Sequence, residues 1–189
     1  AVVNTHVERI FNWLFMWGTD NSKKLTFIYV YDGSSTITKF TVSGQAMSAA
    51  FTQIGSTAYI ALAFNDQGNQ QVQGYQMFQT NPYQWQSIPS IDQGLSQFEF
   101  FCPQMVKIDP ENAMMLWVYS FCPGQDQRII RYKYPPTLVN NKLSARLVNS
   151  IPLNLAYTEV MYCPMGTEVV IGATFNGAYT FFSQNNYQD

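Results

Sequence analysis

Two stretches of the chain decide its architecture: WQSIPSIDQGLSQFEFFCPQMVKIDPENAMMLWV (residues 85–118) and LVNSIPLNLAYTEVMYCPMGTEVVI (residues 147–171). In both, a segment ending in Ser-Ile-Pro leads to an aromatic run closed by Cys-Pro, and a turn and an apolar strand follow. Cys102 therefore aligns with Cys163, at a period of about 60 residues. A period of this order indicates a repeated β architecture. We expect the two cysteines to be buried at equivalent positions.

Working outward from this repeat, four segments share one hairpin pattern. A strand that is apolar on both faces precedes a turn and a returning strand that alternates. The segments are Leu25–Gly44, Ala58–Gln79, Met114–Tyr134 and Glu168–Ser183. Turns are expected near Gly33, Gly68 and Gly177. The pattern predicts an all-β fold of antiparallel hairpin repeats, as a β-propeller or a propeller fragment, with a β-sandwich as the alternative.

The chain of 189 residues suits a single all-β domain. Its repeated hairpin units are expected at about 20–50, 51–91, 95–152 and 155–189. Outer strands are expected at Gln84–Ile88 and Ala145–Ile151, and innermost strands at Phe98–Val106 and Glu159–Tyr162. The N-terminal stretch HVERIFNWLFMW fits either a strand or one or two helical turns. Four units make either a compact ring or an arc that is part of a longer chain.

The surface is poor in charge, since charged residues make up 12% of the chain and the net charge is −2. A protein with this charge and a pI near 5.3 does not attract nucleic acid. The one basic cluster, Arg128, Arg131 and Lys133, is interpreted as the solvated face of a strand. No apolar run reaches the length of a membrane-spanning helix. An amide-rich, weakly charged surface favours an extracellular, cell-surface or assembly-forming protein.

Three cysteines cannot all pair within one chain. Our first expectation is three buried, unpaired thiols, and the rival is one disulfide between Cys102 and Cys122. A regular hairpin would set Cys102 opposite Tyr119, so this disulfide requires a bulge. The spacing matches neither a zinc site nor a redox Cys-x-x-Cys.

Candidates for catalysis are few. His6, the only histidine, lies near the terminus and is interpreted as a bystander. The carboxylate pairs Asp109 with Glu111 and Glu159 with Glu168 are interpreted as solvated turn or edge residues rather than a general acid and base. The turns around Asn65–Asn69 and Thr19–Asn21 offer too few carboxylates for calcium. We therefore expect no enzyme activity, no cofactor and no metal.

Aromatic residues are the class in greatest excess, at 16% of the chain. Most belong to the core, but Trp85, Tyr75 and Tyr83 accompany the polar segment Gln79–Gln86. Exposed rings beside amides suit sugar stacking or a protein interface, so the predicted binding residues are Tyr75, Tyr83, Trp85 and Gln86. The alternative is that these rings cap a sheet edge.

The hairpins, together with Trp85-Gln86-Ser87-Ile88-Pro89, resemble β-propeller repeats and the epitempin-type repeat of secreted and synaptic proteins, over about residues 20–183. The resemblance implies a binding scaffold. We expect a non-enzymatic module, extracellular or associated with an assembly, that binds a protein or a glycan through loops. The alternatives are a structural subunit of a shell or filament, which implies a homo-oligomer, and, third, a carbohydrate-active enzyme.

Overall fold

The computed structural model of the chain describes residues 2–66, 68–92, 100–125, 127–139, 142–143, 147–152, 159–165 and 168–184. The regular structure in these ranges is β-strand without helix, which confirms the predicted all-β class. Each strand pairs antiparallel with its neighbours, and the strands form a series of sheets with one repeated up-and-down design.

The sheets are numbered here in chain order. The first sheet contains β1 (Val2–Ile10), β2 (Trp13–Asp20), β3 (Leu25–Tyr31) and β4 (Thr36–Ser43). The second sheet contains β5 (Ser48–Ile54), β6 (Thr57–Asp66), β7 (Asn69–Phe78) and β8 (Asn81–Asp92). The third sheet contains β9 (Pro103–Asp109), β10 (Asn112–Phe121), β11 (Gln127–Lys133) and, after a small hairpin of β12 (Leu138–Val139) and β13 (Lys142–Leu143), β14 (Leu147–Pro152). The fourth sheet contains β15 (Glu159–Met165), β16 (Glu168–Phe175) and β17 (Ala178–Gln184).

Apolar clusters join each sheet to the next. The first cluster includes Phe15 and Ile28 of the first sheet and Ile60 of the second. The second cluster joins the other face of the second sheet to the third, and the third cluster joins the third sheet to the fourth. The sheets therefore stack in series, and among the described residues they do not close into a ring. This arrangement of four sheets in series is not the β-sandwich, a pair of facing sheets, that we gave as the alternative.

The turns follow the predicted chemistry. Gly33, Gly68 and Gly177 have φ of 103°, 80° and 77°. Asn176 precedes Gly177 with φ of 49°, so the β16–β17 turn has the two positive φ values of a type I′ turn. The N-terminal stretch forms strands rather than a helix, because β1 and β2 pair across a turn at Phe11, whose φ is 57°. The hairpin expected at Leu25–Gly44 is consequently β3–β4, and the first sheet begins at Val2.

Positions within the sheets are partly as expected. β8 and β14 are outermost strands, as predicted, and β15 is the first strand of its sheet, as predicted. β9 is also a first strand, but it overlaps the one expected at Phe98–Val106 only from Pro103 onward, and residues 93–99 lie outside the described residues. Both Ser-Ile-Pro landmarks lie in outermost strands. The prediction of a solvated basic face was wrong for Arg131, which is buried with its guanidinium carbon 5.5 Å from the ring centre of Trp117. These two residues are directly paired between β10 and β11, so the guanidinium packs over the indole.

The cysteines behave differently from our first expectation. Cys102 and Cys122 form a disulfide, with their Cα atoms 5.2 Å apart. The register shifts between Tyr119 and Ser120, which brings the amide of Phe121 to the carbonyl of Cys102. This irregularity is the bulge that the disulfide requires. Cys163 is exposed and lies inside β15 rather than at its start, so the two Cys-Pro landmarks are not structurally equivalent.

Candidate functional site

The first strands of three sheets bound a cavity of about 670 Å³, which we call the inner cavity. β1, β5 and β9 each supply side chains to its wall. The polar groups among them come from His6, Glu8, Ser48, Lys107 and Asp109. Its volume lies in the range of ligand pockets in proteins. We expected binding through loops, whereas most of the wall of this cavity comes from strands.

The local sequence explains why His6 and Glu8 share the cavity. They are two residues apart in β1, and alternate residues of a strand point to the same face. The ring Nε2 of His6 lies 3.1 Å from Oε1 of Glu8, and about half of each side chain is exposed. This pair presents an imidazole and a carboxylate to the solvent of the cavity. We interpreted His6 as a bystander from the sequence, although the His-x-Glu spacing in an alternating segment indicates that the two side chains share one face of a strand.

Ser48 holds the cavity wall together. Its hydroxyl accepts a hydrogen bond from the amide of Val106 at 3.1 Å and lies 3.4 Å from the carbonyl oxygen of the same residue. Val106 belongs to β9, so one side chain of the second sheet is bonded to the backbone of the third. A direct bond of this kind fixes the distance between two cavity walls and preorganises the site.

Lys107 and Asp109 contribute to the wall in different ways. The ammonium of Lys107 lies 5.4 Å from the ring centre of Tyr162, within the range of a cation–π interaction. Asp109 is buried, and its carboxylate accepts hydrogen bonds from the indole of Trp117 at 3.0 Å and from the amide of Glu111 at 2.9 Å. The carboxylate of Asp109 thus secures the β9–β10 turn. This corrects our expectation of a solvated Asp109, because the neighbouring indole is buried with it.

The second carboxylate pair is separated by the register of the fourth sheet. Glu159 pairs with Thr174, whereas Glu168 pairs with Met165 at the other end of the β15–β16 ladder. Six residues of strand separate the two ladder positions, or about 20 Å at 3.3 Å per residue. Glycoside hydrolases hold their two carboxyl groups about 5–10 Å apart. These two positions do not form such a pair.

Of the predicted binding residues, Trp85 and Tyr75 pack against the first cluster. Trp85 is half-buried and stacks on Phe40, with ring centres 4.9 Å apart and an interplanar angle of 12°. Tyr75 is half-buried as well and meets Phe40 edge-on at 4.9 Å. Burial raises the pKa of the Tyr75 phenol above its usual value. The expected exposure of these two rings was wrong, because the first sheet covers them.

The other two predicted residues are exposed. Tyr83 has 71% of its surface exposed, and the amide of Gln86 accepts a hydrogen bond from Nε2 of Gln76 at 2.8 Å. Both lie in β8, so the segment Gln79–Gln86 is mostly an outermost strand rather than a loop. The structure brings neither residue to the inner cavity, whose lining comes from other strands.

The turns considered for calcium meet at a second, polar cavity of about 500 Å³, which Thr19, Asn21, Asn65 and Asp66 help to line. The neighbouring Asp20 accepts a hydrogen bond of 2.6 Å from the hydroxyl of Ser22, and this bond lowers the pKa of the carboxyl. Nowhere in the described ranges do three or more His, Cys, Asp or Glu side chains gather as metal ligands. The same ranges hold no helix long and apolar enough to cross a membrane.

Comparison with known proteins gives a structural likeness only. No protein-family model and no curated protein sequence matches the chain. Among solved structures it is similar to hydrazine synthase of Kuenenia stuttgartiensis, with a TM-score of 0.51 and 14% sequence identity. The match covers 84% of this chain and 40% of the neighbour, so the chain spans about two fifths of that protein's length. At this identity the likeness shows the fold.

Proposed function

We propose that this chain is a non-enzymatic binding module of β-propeller type that takes a glycan in the inner cavity. One observation carries the proposal: the first strands of three sheets converge, and His6, Glu8, Ser48 and Lys107 help to line one concave space. Sugars carry closely spaced hydroxyls that donate and accept hydrogen bonds, so a wall with both donors and acceptors suits them. A polar segment of a protein partner would use the same groups.

The absence of activity is part of the proposal, and the placement of the acidic groups supports it. The carboxylate of Asp109 is engaged by Trp117 and the turn amide. Glu8 is held by His6 on the same strand. The two catalytic carboxyl groups of a glycoside hydrolase flank the scissile bond. Glu8 instead stands beside His6 on one wall, which favours binding over glycoside hydrolysis.

We further propose that the protein works outside the cell or at its surface. The Cys102–Cys122 disulfide supports this, since such bonds persist in oxidising compartments. The repeated four-stranded meander, which is the design of propeller blades, supports the propeller-type scaffold. A test of the location is the mass of the protein isolated from its source under alkylating conditions. Cysteines 102 and 122 found alkylated without prior reduction would contradict it.

The ligand experiment uses the single histidine as its reporter. Neutral, acidic and amino-sugar oligosaccharides are titrated into the protein while the Hε1 resonance of His6 is followed by NMR. We expect one sugar class to shift this resonance saturably. We also expect Glu8→Gln to weaken binding by at least 10-fold, or about 1.4 kcal/mol, because the carboxylate acceptor is lost.

The matched control is Tyr83→Ala, which alters an exposed ring on the outermost strand of the second sheet and should leave this binding unchanged. If Tyr83→Ala or Gln86→Ala weakens sugar binding and the sugar leaves the His6 resonance unchanged, the binding site lies on β8. That is the position we predicted from the sequence. If no sugar class binds, the glycan proposal is refuted, and a polar peptide library is the next probe for the cavity.

A further inference from the structure

The two terminal sheets each have one face that the described residues leave exposed. In the first sheet, strand alternation directs Phe15 and Ile28 toward the second sheet. It directs the row Val7, Met16, Tyr29 and Lys39 away from it. We call the face that points away from the second sheet the first outer face. Val7 is 52% exposed on it.

The fourth sheet shows the same asymmetry. Tyr162 and Ile171 pack against the third sheet. Met161, Gly172 and Phe181 form a row on the opposite face, which we call the fourth outer face. Met161, Tyr179 and Phe181 are 57%, 65% and 72% exposed. Exposed apolar side chains grouped on one face mark an interaction surface.

The two outer faces differ in net charge, because Arg9 and Lys39 on the first outer face outnumber Asp20, which shares that face by strand alternation. On the first outer face, Arg9 lies at a position paired with Leu14, and the ammonium of Lys39 lies 5.2 Å from the ring centre of Tyr29. The fourth sheet, residues 159–184, contains Glu159 and Glu168 and no Lys or Arg. Glu168 occupies a position of the fourth outer face by strand alternation. Opposite charges around apolar patches set orientation and partner choice.

The chain already shows what covers a sheet face in this fold. At each of the three junctions within the chain, the covering element is another antiparallel sheet of the same design. A second copy of the chain offers such a sheet with the required opposite charge. We propose that two copies associate head to tail, with the first outer face of each copy seated on the fourth outer face of the other. The result is a closed assembly of eight sheets, a number within the range of propeller-like rings.

The first experiment measures the mass of the protein by sedimentation over a wide range of concentration. We expect a dimer, which Phe181→Lys should weaken by at least 10-fold in Kd because it places a cation against Arg9 and Lys39. The control Tyr83→Lys changes a side chain of nearly equal exposure, 71%, on β8, and should leave the dimer intact. Far-UV circular dichroism verifies that each variant is folded. A wild-type protein that stays monomeric up to about 100 µM overturns the proposal.

The second experiment tests the head-to-tail arrangement. A Phe181→Lys protein and a Leu14→Glu protein each lack one intact outer face, because each substitution adds a charge of the same sign as the opposing face, so each should dimerise poorly alone. Mixed together, they retain one intact junction, between the fourth sheet of the Leu14→Glu copy and the first sheet of the Phe181→Lys copy. We therefore expect a mixed dimer. No gain on mixing would contradict the head-to-tail arrangement and indicate that like faces meet.

Cys163 provides an independent readout, since its thiol is free and exposed and its strand position lies on the fourth outer face. We expect a thiol reagent to react with it more slowly as protein concentration rises, in step with the dimer measured by sedimentation. The Phe181→Lys variant should react at a rate independent of concentration. A wild-type rate that ignores dimer formation would show that the dimer uses another surface.

Discussion

The second and fourth sheets contain similar central strands in different surroundings. β6 is buried on both faces, and its residues from Ile60 to Phe64 are fully covered by the first and third sheets. β16 is equally apolar at Val169, Val170 and Ile171, but its sheet has only the third sheet as an apolar neighbour among the described residues. An apolar strand sequence therefore shows only that the strand can be buried on both of its faces. Whether both sides are covered depends on the position of the sheet in the series.

The largest expected difference between the two sheets is in core truncation. Leu62→Ala removes a fully buried side chain between the first and second sheets and should lower the free energy of unfolding by about 2–5 kcal/mol. Met161→Ala removes an exposed side chain of the fourth sheet and should change it by less than about 0.5 kcal/mol. Urea unfolding at low protein concentration, where association contributes little, measures both. Equal losses would mean that the fourth outer face is covered within the single chain.

A smaller difference is expected for a pair of strand glycines. A Cβ on Gly74 would lie 2.4 Å from Cγ1 of Ile88 and 2.7 Å from the hydroxyl of Tyr134. This hydroxyl donates a hydrogen bond of 2.7 Å to the carbonyl of Ile60. Gly74→Ala should therefore cost about 1–3 kcal/mol, because tightly packed groups of the second and third sheets must move.

The matched change in the fourth sheet is Gly172→Ala. Its Cβ would lie 2.8 Å from Cε1 of Phe181, whose exposed ring can rotate toward solvent. We expect a change within about 0.5 kcal/mol, because a loss of chain entropy in the unfolded state offsets the small displacement. The same urea titrations measure both variants. Gly172→Ala could instead lower the free energy of unfolding by much more, and adding Phe181→Ala could fail to restore it. That result would show that the groups around Gly172 cannot move to accept a Cβ.

The last expected effect appears only at alkaline pH. Burial raises the pKa of the Tyr119 phenol to about 12, although a hydrogen bond from Gln127 acts in the opposite direction. Between pH 10 and 12 the unfolded chain loses this proton while the folded protein keeps it. Stability should therefore be unaffected below pH 10 and fall as the pH rises above it.

Urea midpoints measured from pH 8 to 11.5 test this prediction. Tyr119→Phe should reduce the slope above pH 10, because the variant has no phenol at this position. Some slope should remain in Tyr119→Phe, because burial also raises the pKa of Tyr132 and Tyr134. An identical slope in wild type and Tyr119→Phe would show that this phenol ionises without affecting folding.

Prediction from sequence succeeded where the signal was local. Gly33, Gly68 and Gly177 mark turns because each adopts a positive φ that other residues avoid. It failed for Trp85, which stands in a polar segment, and for Arg131, whose charge suggests exposure. Their surroundings come from partners distant in sequence: Phe40 stacks on the indole of Trp85, and Trp117 lies under the guanidinium of Arg131. The inner cavity was missed for the same reason. β1, β5 and β9 belong to different sheets, and the remaining strands of a sheet lie between each of them and the next along the chain.

The sequence by itself determined the all-β class, the main turns and the outermost strands, because strand alternation and turn geometry depend on residues within a few positions of each other. Only the tertiary structure decided which residues meet. The Cys102–Cys122 bond depends on a bulge that alternation does not predict. His6 and Lys107 reach one cavity because three sheets stack in series. Side-chain burial is a property of the neighbouring sheet, and residues far along the chain supply that neighbour.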